Sequence, residues 1–435
     1  MSTKDQYIRL ITFLFFLSGA GALIYQVVWQ RVLTQAIGVD HIAIVFIVTI
    51  FMMGLGIGSF AGGLVTTLPN RTVMIAYAAL EFAVGVFGIF SNDALRWLND
   101  WNARGGTTGI TRDFAVNCIF LVGPIILMGM TTPMLIHLLR DRTANFGTTI
   151  GRYYGANIVG AAFGALCSLF LIELFGLFDT TLFAVAINFL IGGVFLTLAL
   201  KPGSVLAADT PGLTDALTPE TPEASNDPSE PSRSVAWTYL ASFLFGAANL
   251  AIQIVVFRLF INYLSPISYI FPIGIASYLF LMALGQSFGG RWVDSVQPSE
   301  YPRLLLCILA GTAAMFIVVL NIPYSFLDNL SSPFGKGHYG FMLLTAFPLA
   351  LVFMSPTFFA SAFLPVMAKA VLPDIKSAGR SFGMVLAAST MGNIFGAFFV
   401  GVFLFEWIGA IASVFVLIAA IPAFCWYLSV TRKPV

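Results

Sequence analysis

The sequence predicts an all-α integral membrane protein of twelve transmembrane helices in two homologous six-helix halves. Three observations carry that reading. First, 58% of the 435 residues are hydrophobic and only 9% are charged, against roughly 25% charged in soluble domains. Second, apolar runs of the ~20 residues that a spanning helix needs occur twelve times. Third, residues of the early runs reappear in the late ones at nearly constant offsets. The net charge of +1 points to neither nucleic acid nor an acidic surface as partner, which leaves the lipid bilayer and a small-molecule solute.

Six candidate spans precede a polar stretch, at about 8–33, 41–65, 73–94, 114–139, 150–175 and 178–200. Six follow it, at about 236–263, 267–290, 302–323, 339–369, 378–405 and 408–430. The first run has Lys4 and Arg9 near its start but lacks a small-residue cleavage site. It reads as a retained first helix rather than a removed signal peptide. The stretch between the halves, 201–235, holds six Pro and six acids, opposed only by Lys201 and Arg233. It cannot bury enough apolar surface to fold and reads as a solvated tether. The expected organisation is an N-terminal half over 1–200, the tether over 201–235 and a C-terminal half over 236–435.

Orientation follows from Lys and Arg, which are retained on the cytoplasmic side. Alternating loops give one side fifteen of the 21 and the other side four, with Arg31 and Arg258 left at the far ends of spans 1 and 7. This expectation places both termini and the tether in the cytoplasm of a plasma membrane protein (the inner membrane, in a Gram-negative cell).

The repeat is clearest in GAGALIYQVVWQR, Gly19 to Arg31, which returns as GAANLAIQIVVFR, Gly246 to Arg258. At an offset of 227, Gly19, Leu23, Gln26 and Arg31 match Gly246, Leu250, Gln253 and Arg258. Gly58, Gly62 and Gly63 match Gly285, Gly289 and Gly290 at the same offset. At 232, Pro133, Gly160 and Gly164 match Pro365, Gly392 and Gly396. Parallel six-helix halves related by an axis along the membrane normal are a common transporter architecture. The glycines at four-residue spacing read first as close-packing seams, because small residues let helix backbones approach. Pro124 and Pro133 in span 4, and Pro348, Pro356 and Pro365 in span 10, predict kinks or breaks, since each removes a backbone donor.

Polar residues inside apolar runs are the candidate functional set. Glu81 sits mid-span in YAALEFAVGVF, where a charge costs roughly 2.5–3.5 kcal/mol on insertion scales. It is the candidate proton or ion-coupling site, with a buried structural hydrogen bond as the other reading. Glu173 and Glu406 lie near span ends and reach water. Gln26 with Gln30, and Asn249 with Gln253, stack at four-residue spacing on one helical face each. With Tyr25, Arg31 and Arg258 they form the candidate substrate-binding set. Two readings fit this stripe: it faces a central cavity, or it holds the halves together by interhelical hydrogen bonds. Snorkelling to the interface accounts for Arg31 and Arg258 taken alone, but not for glutamines about 7.5 Å deeper. Asn157 and Asn188 are weaker candidates.

Absent patterns narrow the class. No GxxxxGK[ST] loop supports ATP-driven pumping. No Ser/His/Asp set, CxxC or HExxH occurs, so neither enzyme chemistry nor a metal or other cofactor is expected. The four cysteines lie in apolar runs and read as small packing residues. FGGRWVDS, Phe288 to Ser295, looks like a degenerate form of the loop between the second and third helices of major facilitator transporters.

FFLSGAGALIYQVVWQR, GLGIGSFAGG, ALEFAVG, GMTTPML and GRYYGANIVGAAFGA, in that order, resemble the membrane half of spermidine-synthase-like membrane proteins. In those fused major facilitator/spermidine synthase proteins an aminopropyltransferase domain follows the helices. The present sequence ends at Val435 without one, so aminopropyl transfer is not expected of it. The resemblance implies a major-facilitator-like fold and a link to polyamines. The expected function is secondary transport of a small polar or charged solute by alternating access. The competing expectation is a non-transporting membrane anchor or scaffold for a separately encoded protein partner.

Overall fold

A chain this apolar meets no water in a bilayer to satisfy its backbone, so each span must close its hydrogen bonds within itself. The computed structural model describes residues 3–38, 40–105, 109–140, 146–201, 232–264, 270–322, 345–370 and 378–399, with 407, 409 and 412. Among these residues the long segments are helices and there is no strand. The first half comprises α1 (Thr3–Ile37), α2 (Asp40–Val65), α3 (Asn70–Arg104), α4 (Ile110–Arg140) and α5 (Phe146–Leu200). The second comprises α6 (Ser232–Leu264), α7 (Ile270–Ser295), α8 (Tyr301–Leu320), α9 (Phe347–Phe353), α10 (Pro356–Ala370) and α11 (Ala378–Phe395). Most of the 201–235 tether and the expected span 408–430 lie outside the described residues.

Eight described helices are long and apolar enough to cross a membrane, or nine if α9 and α10 count as one bent span. α5 accounts for two of the expected spans. Its 46-residue apolar segment, Gly155–Leu200, would measure about 69 Å, more than twice a hydrocarbon core. Gly176 breaks it, with φ 81° and ψ 179°, at the boundary expected between spans 5 and 6. That conformation is nearly closed to residues with a Cβ. Gly176→Ala is therefore expected to lower stability by about 1–3 kcal/mol, read as a fall in the thermal unfolding midpoint of purified protein.

The prolines divide in their effect. α9 and α10 meet at a 55° bend, as the three prolines of span 10 predict. α4 instead runs unbroken through Pro124 and Pro133, so of the expected kink or break the break does not occur there. Pro133 leaves the Gly129 carbonyl without its helical donor, and the Ser59 hydroxyl of α2 lies 3.5 Å from that oxygen.

Glycine seams set the helix pairs, and they recur between the halves. α1 packs on the first arm of α5 and α2 on α4, while α6 packs on α11 and α7 on α10. A methyl group at Gly164 would lie 2.6 Å from Ala20 Cα, and one at Gly396 2.7 Å from Ala247 Cα. Gly160 meets the Phe16 backbone as Gly392 meets that of Phe243. Gly62 faces Met130 as Gly289 faces Ala362. Every one of these pairs obeys the offsets of 227 and 232 seen in the sequence. Between the halves, α5 packs on α7 and α2 on α11.

The cores are unequal at the two ends of the bundle. One large core runs through both halves, from Ile24–Leu33 and Ala43–Phe51 to Leu250–Phe260, Ile270–Tyr278 and Ala346–Met354. At the other end each half has its own core. Ile11, Phe15, Val73, Tyr77, Leu135 and Phe195 form one; Phe245, Val293, Ile308, Phe363 and Val366 form the other. Exposed Phe60, Phe90, Ile119, Phe163 and Leu174 give the outer faces the apolar surface that lipid requires.

Candidate functional site

Between the shared core and the two separate cores lies a cavity of about 160 Å³, room for several waters or a small solute. Its walls are largely apolar: Leu23, Phe51, Met52, Met128, Ile275, Leu279 and Met282. Polar groups converge from both halves. α1 supplies Ser18 and Gln26, α3 supplies Glu81, α4 supplies Thr131 and Thr132, and the two arms of α5 supply Asn157 and Asn188. From the second half come Gln253 of α6 and Tyr278 of α7. Among the described residues the lining carries one carboxylate, Glu81, and no Lys or Arg.

Glu81 is 2% exposed, so its hydrogen-bond partners decide how it is tolerated. Asn188 Nδ2 donates to Glu81 Oε2 at 2.6 Å. The hydroxyls of Ser18 and Tyr77 also face the carboxyl, the latter without a well-formed bond. Asn188 in turn accepts from the Tyr25 hydroxyl on its Oδ1 at 3.0 Å. Tyr25 stacks on Trp29 with ring centroids 5.1 Å apart, and Trp29 Nε1 donates to Ser91 Oγ at 3.0 Å. A continuous polar line therefore leads from the cavity into the shared core. In the second half, Asn249 Nδ2 donates to the Tyr278 hydroxyl at 3.2 Å. The side-chain oxygen of Gln253 is buried and has no hydrogen-bond partner.

The sequence-predicted residues fall into three groups. Gln26, Gln253 and Glu81 line the cavity together, as do the weaker candidates Asn157 and Asn188. Tyr25 and Asn249 stand one hydrogen bond behind the lining, through Asn188 and Tyr278. Gln30 bonds along its own helix, from Nε2 to Thr34 Oγ1 at 2.8 Å. Arg31 and Arg258 are half-buried, five residues further along α1 and α6, and neither is in the lining. Sequence reasoning missed Ser18 and Tyr278. The repeat held the signal for Tyr278, which stands at offset 227 from Phe51: a hydroxyl where the other half has a plain ring.

Among the described residues no cluster of three or more His, Cys, Asp or Glu could hold a metal ion. Described cysteines Cys118, Cys167 and Cys307 are unpaired.

No protein family's sequence profile matches the chain, and no curated protein matches it. Solved structures do. A bacterial homologue of the iron transporter ferroportin, in an outward-facing state with soaked iron, aligns with a TM-score of 0.58 at 13% identity, covering 99% of this chain and 100% of that one. The human organic anion transporter MFSD10 (TETRAN) aligns at 0.57 and 12% identity, covering 98% of this chain and 99% of that one. At such identities the likeness concerns architecture. With the helical spans, the duplicated seams and these neighbours together, the chain is a multi-span membrane protein of the major-facilitator-like fold.

Proposed function

We propose that this protein is a secondary transporter that moves a small cationic solute through the central cavity by alternating access. One observation carries the sign of the charge: among the described residues the lining contributes a single carboxylate, Glu81, with no Lys or Arg to oppose it. Gln26 and Gln253 contact the solute from opposite halves, so a bound solute bridges the two bodies that must rock against each other. A polyamine or related amine, which the resemblance to spermidine-synthase-like membrane proteins implies, has the matching sign. Arg31 and Arg258 lie outside the lining and so do not set its charge. Of the structural neighbours named above, one is a bacterial homologue of an iron transporter and one an organic anion transporter. The described lining, with neither a metal-ligand cluster nor a cation, supports neither cargo here.

The shared core lies at the end that holds Arg31 and Arg258, and the proposal takes access from the opposite end. With the termini in the cytoplasm, as the Lys and Arg distribution indicates, that end faces inward in a plasma membrane transporter. The halves 1–200 and 236–435 are then the rocking bodies, joined by the 201–235 tether.

Thermal unfolding of purified protein against short amines and short carboxylates tests the proposal. Amines at a hundred times their Kd are expected to stabilise by about 2.7 kcal/mol, and carboxylates not at all. Stabilisation by carboxylates alone, or a stoichiometric co-purifying protein with no solute flux in proteoliposomes, overturns it; the latter is the anchor's signature. Gln253→Lys, which places a cation beside the site, is expected to weaken amine binding about tenfold or more, ~1.4 kcal/mol, in the same assay.

A further inference from the structure

We propose that Asn188 and Tyr25 form a hydrogen-bond relay through which the protonation of Glu81 controls how firmly α1 is held in the shared core. The proposal rests on the transport reading only in taking Glu81 as a group that gains and loses a proton. An ionised carboxylate only accepts hydrogen bonds, whereas an amide has one donating end and one accepting end. The line from Tyr25 to Glu81 therefore has a fixed polarity. Asn188 turns its Nδ2 to Glu81 at 2.6 Å, and this leaves its Oδ1 for the Tyr25 hydroxyl at 3.0 Å.

A proton on the Glu81 oxygen that faces Asn188 changes the requirement. That oxygen then donates, so Asn188 must offer Oδ1 and turn its Nδ2 to Tyr25. Tyr25 must then accept, and its own O–H loses the acceptor it had. Both Tyr25 and Trp29 are fully buried. The Tyr25 ring lies against Gly88, where an added methyl would sit 2.8 Å from Cε1, so no space is open to the hydroxyl on that side. Losing one buried hydrogen bond of this kind shifts a two-state population roughly fivefold to a hundredfold. The loss falls on α1 within the core that joins the halves, where Tyr25 stacks on Trp29.

The surroundings of Glu81 leave the relay as its route into that core. Among the described residues the titratable groups around it are tyrosines: Tyr25 from α1, Tyr77 from α3 and Tyr278 from α7. The lining residues of α2, α4, α5 and α6 are neutral. The competing route is donation by the protonated acid to Ser18 or Tyr77, which would leave Asn188 and Tyr25 undisturbed.

Spin labels at Gln35→Cys, near the end of α1, and Asn321→Cys, just after α8, test this in full-length protein in nanodiscs with Cys118, Cys167, Cys307 and Cys425 replaced by serine. Both labelled sites are exposed and lie at the shared-core end of different halves. Pulsed dipolar distances are measured from pH 5 to 9. The long-distance population is expected to grow roughly fivefold or more as pH falls, and to stop responding in Glu81→Gln. Tyr25→Phe, which deletes only the hydroxyl, is expected to lose the pH response while keeping the high-pH distance. Asn188→Leu gives the same readout should Tyr25→Phe fail to fold. A normal pH response in either relay variant overturns the proposal, as does a flat response in the parent. Amine stabilisation of the parent reports the transport reading separately: pH-driven distances without it sink that reading and leave the relay standing.

Discussion

Glu81→Gln is expected to abolish pH-dependent solute flux in proteoliposomes and to weaken amine binding roughly ten- to a hundredfold, while the protein stays monodisperse. The binding loss follows from replacing a charged hydrogen-bond acceptor with a neutral one, worth about 1.5–3 kcal/mol. Folding survives because the glutamine oxygen still accepts from Asn188, and because the exchange removes a buried charge rather than creating one. Flux is followed with a radiolabelled amine under imposed pH gradients, and folding by size-exclusion chromatography. Unchanged flux would remove Glu81 from the site. A misfolded variant would mean that the carboxylate is structural.

The largest effect on stability is expected from the glycine seams. Gly164→Val would drive a side chain against Ala20 Cα, only 2.6 Å from the first added carbon. The obstacle is backbone, so no rotamer change relieves it, and the cost should reach or exceed the ~1–3 kcal/mol of ordinary overpacking. Gly396→Val should cost about the same, because the contact it breaks is the counterpart of the first in the other half. Gly193→Ala is the control: nothing lies within 4 Å of its added methyl, and alanine favours a helix over glycine by roughly 1 kcal/mol. Thermal unfolding and monodispersity should separate the two seam variants from the control. Equal behaviour of all three would show that the seams do not hold the helix pairs.

Much of this architecture was legible because packing in lipid depends on small residues at fixed spacing, and spacing survives in sequence. The offsets of 227 and 232 identified pairs such as Gly160 with Gly392, and those pairs meet matching backbones. The boundary expected between spans 150–175 and 178–200 matched the break in α5, at Gly176. The prolines were less informative: whether a helix breaks depends on what the neighbouring helix offers the freed carbonyl, as Ser59 does for Gly129. That is a tertiary fact.

The site was legible in part, for a related reason. Glu81, Gln26 and Gln253 stood out as polar groups in apolar runs, and all three line one cavity. Arg31 and Arg258 stood out equally, yet sit beyond it, because helical spacing gives depth along an axis but not where the cavity ends. Asn188 looked like an ordinary packing residue. Its importance comes from joining Glu81 of α3 to Tyr25 of α1, residues 56 positions apart in the chain.

The bend between α9 and α10 divides this helix pair between two allegiances. Ala346, Leu349, Phe353 and Met354 belong to the core common to both halves, whereas Ala360, Phe363, Val366 and Met367 belong to the second half alone. The corner falls where one allegiance gives way to the other. If the halves part at the common end, the short piece can follow its neighbours while the longer piece stays seated, and the 55° corner serves as an elbow. Straightening it would couple the two pieces rigidly, so that the second half could no longer yield at one end without shifting at the other.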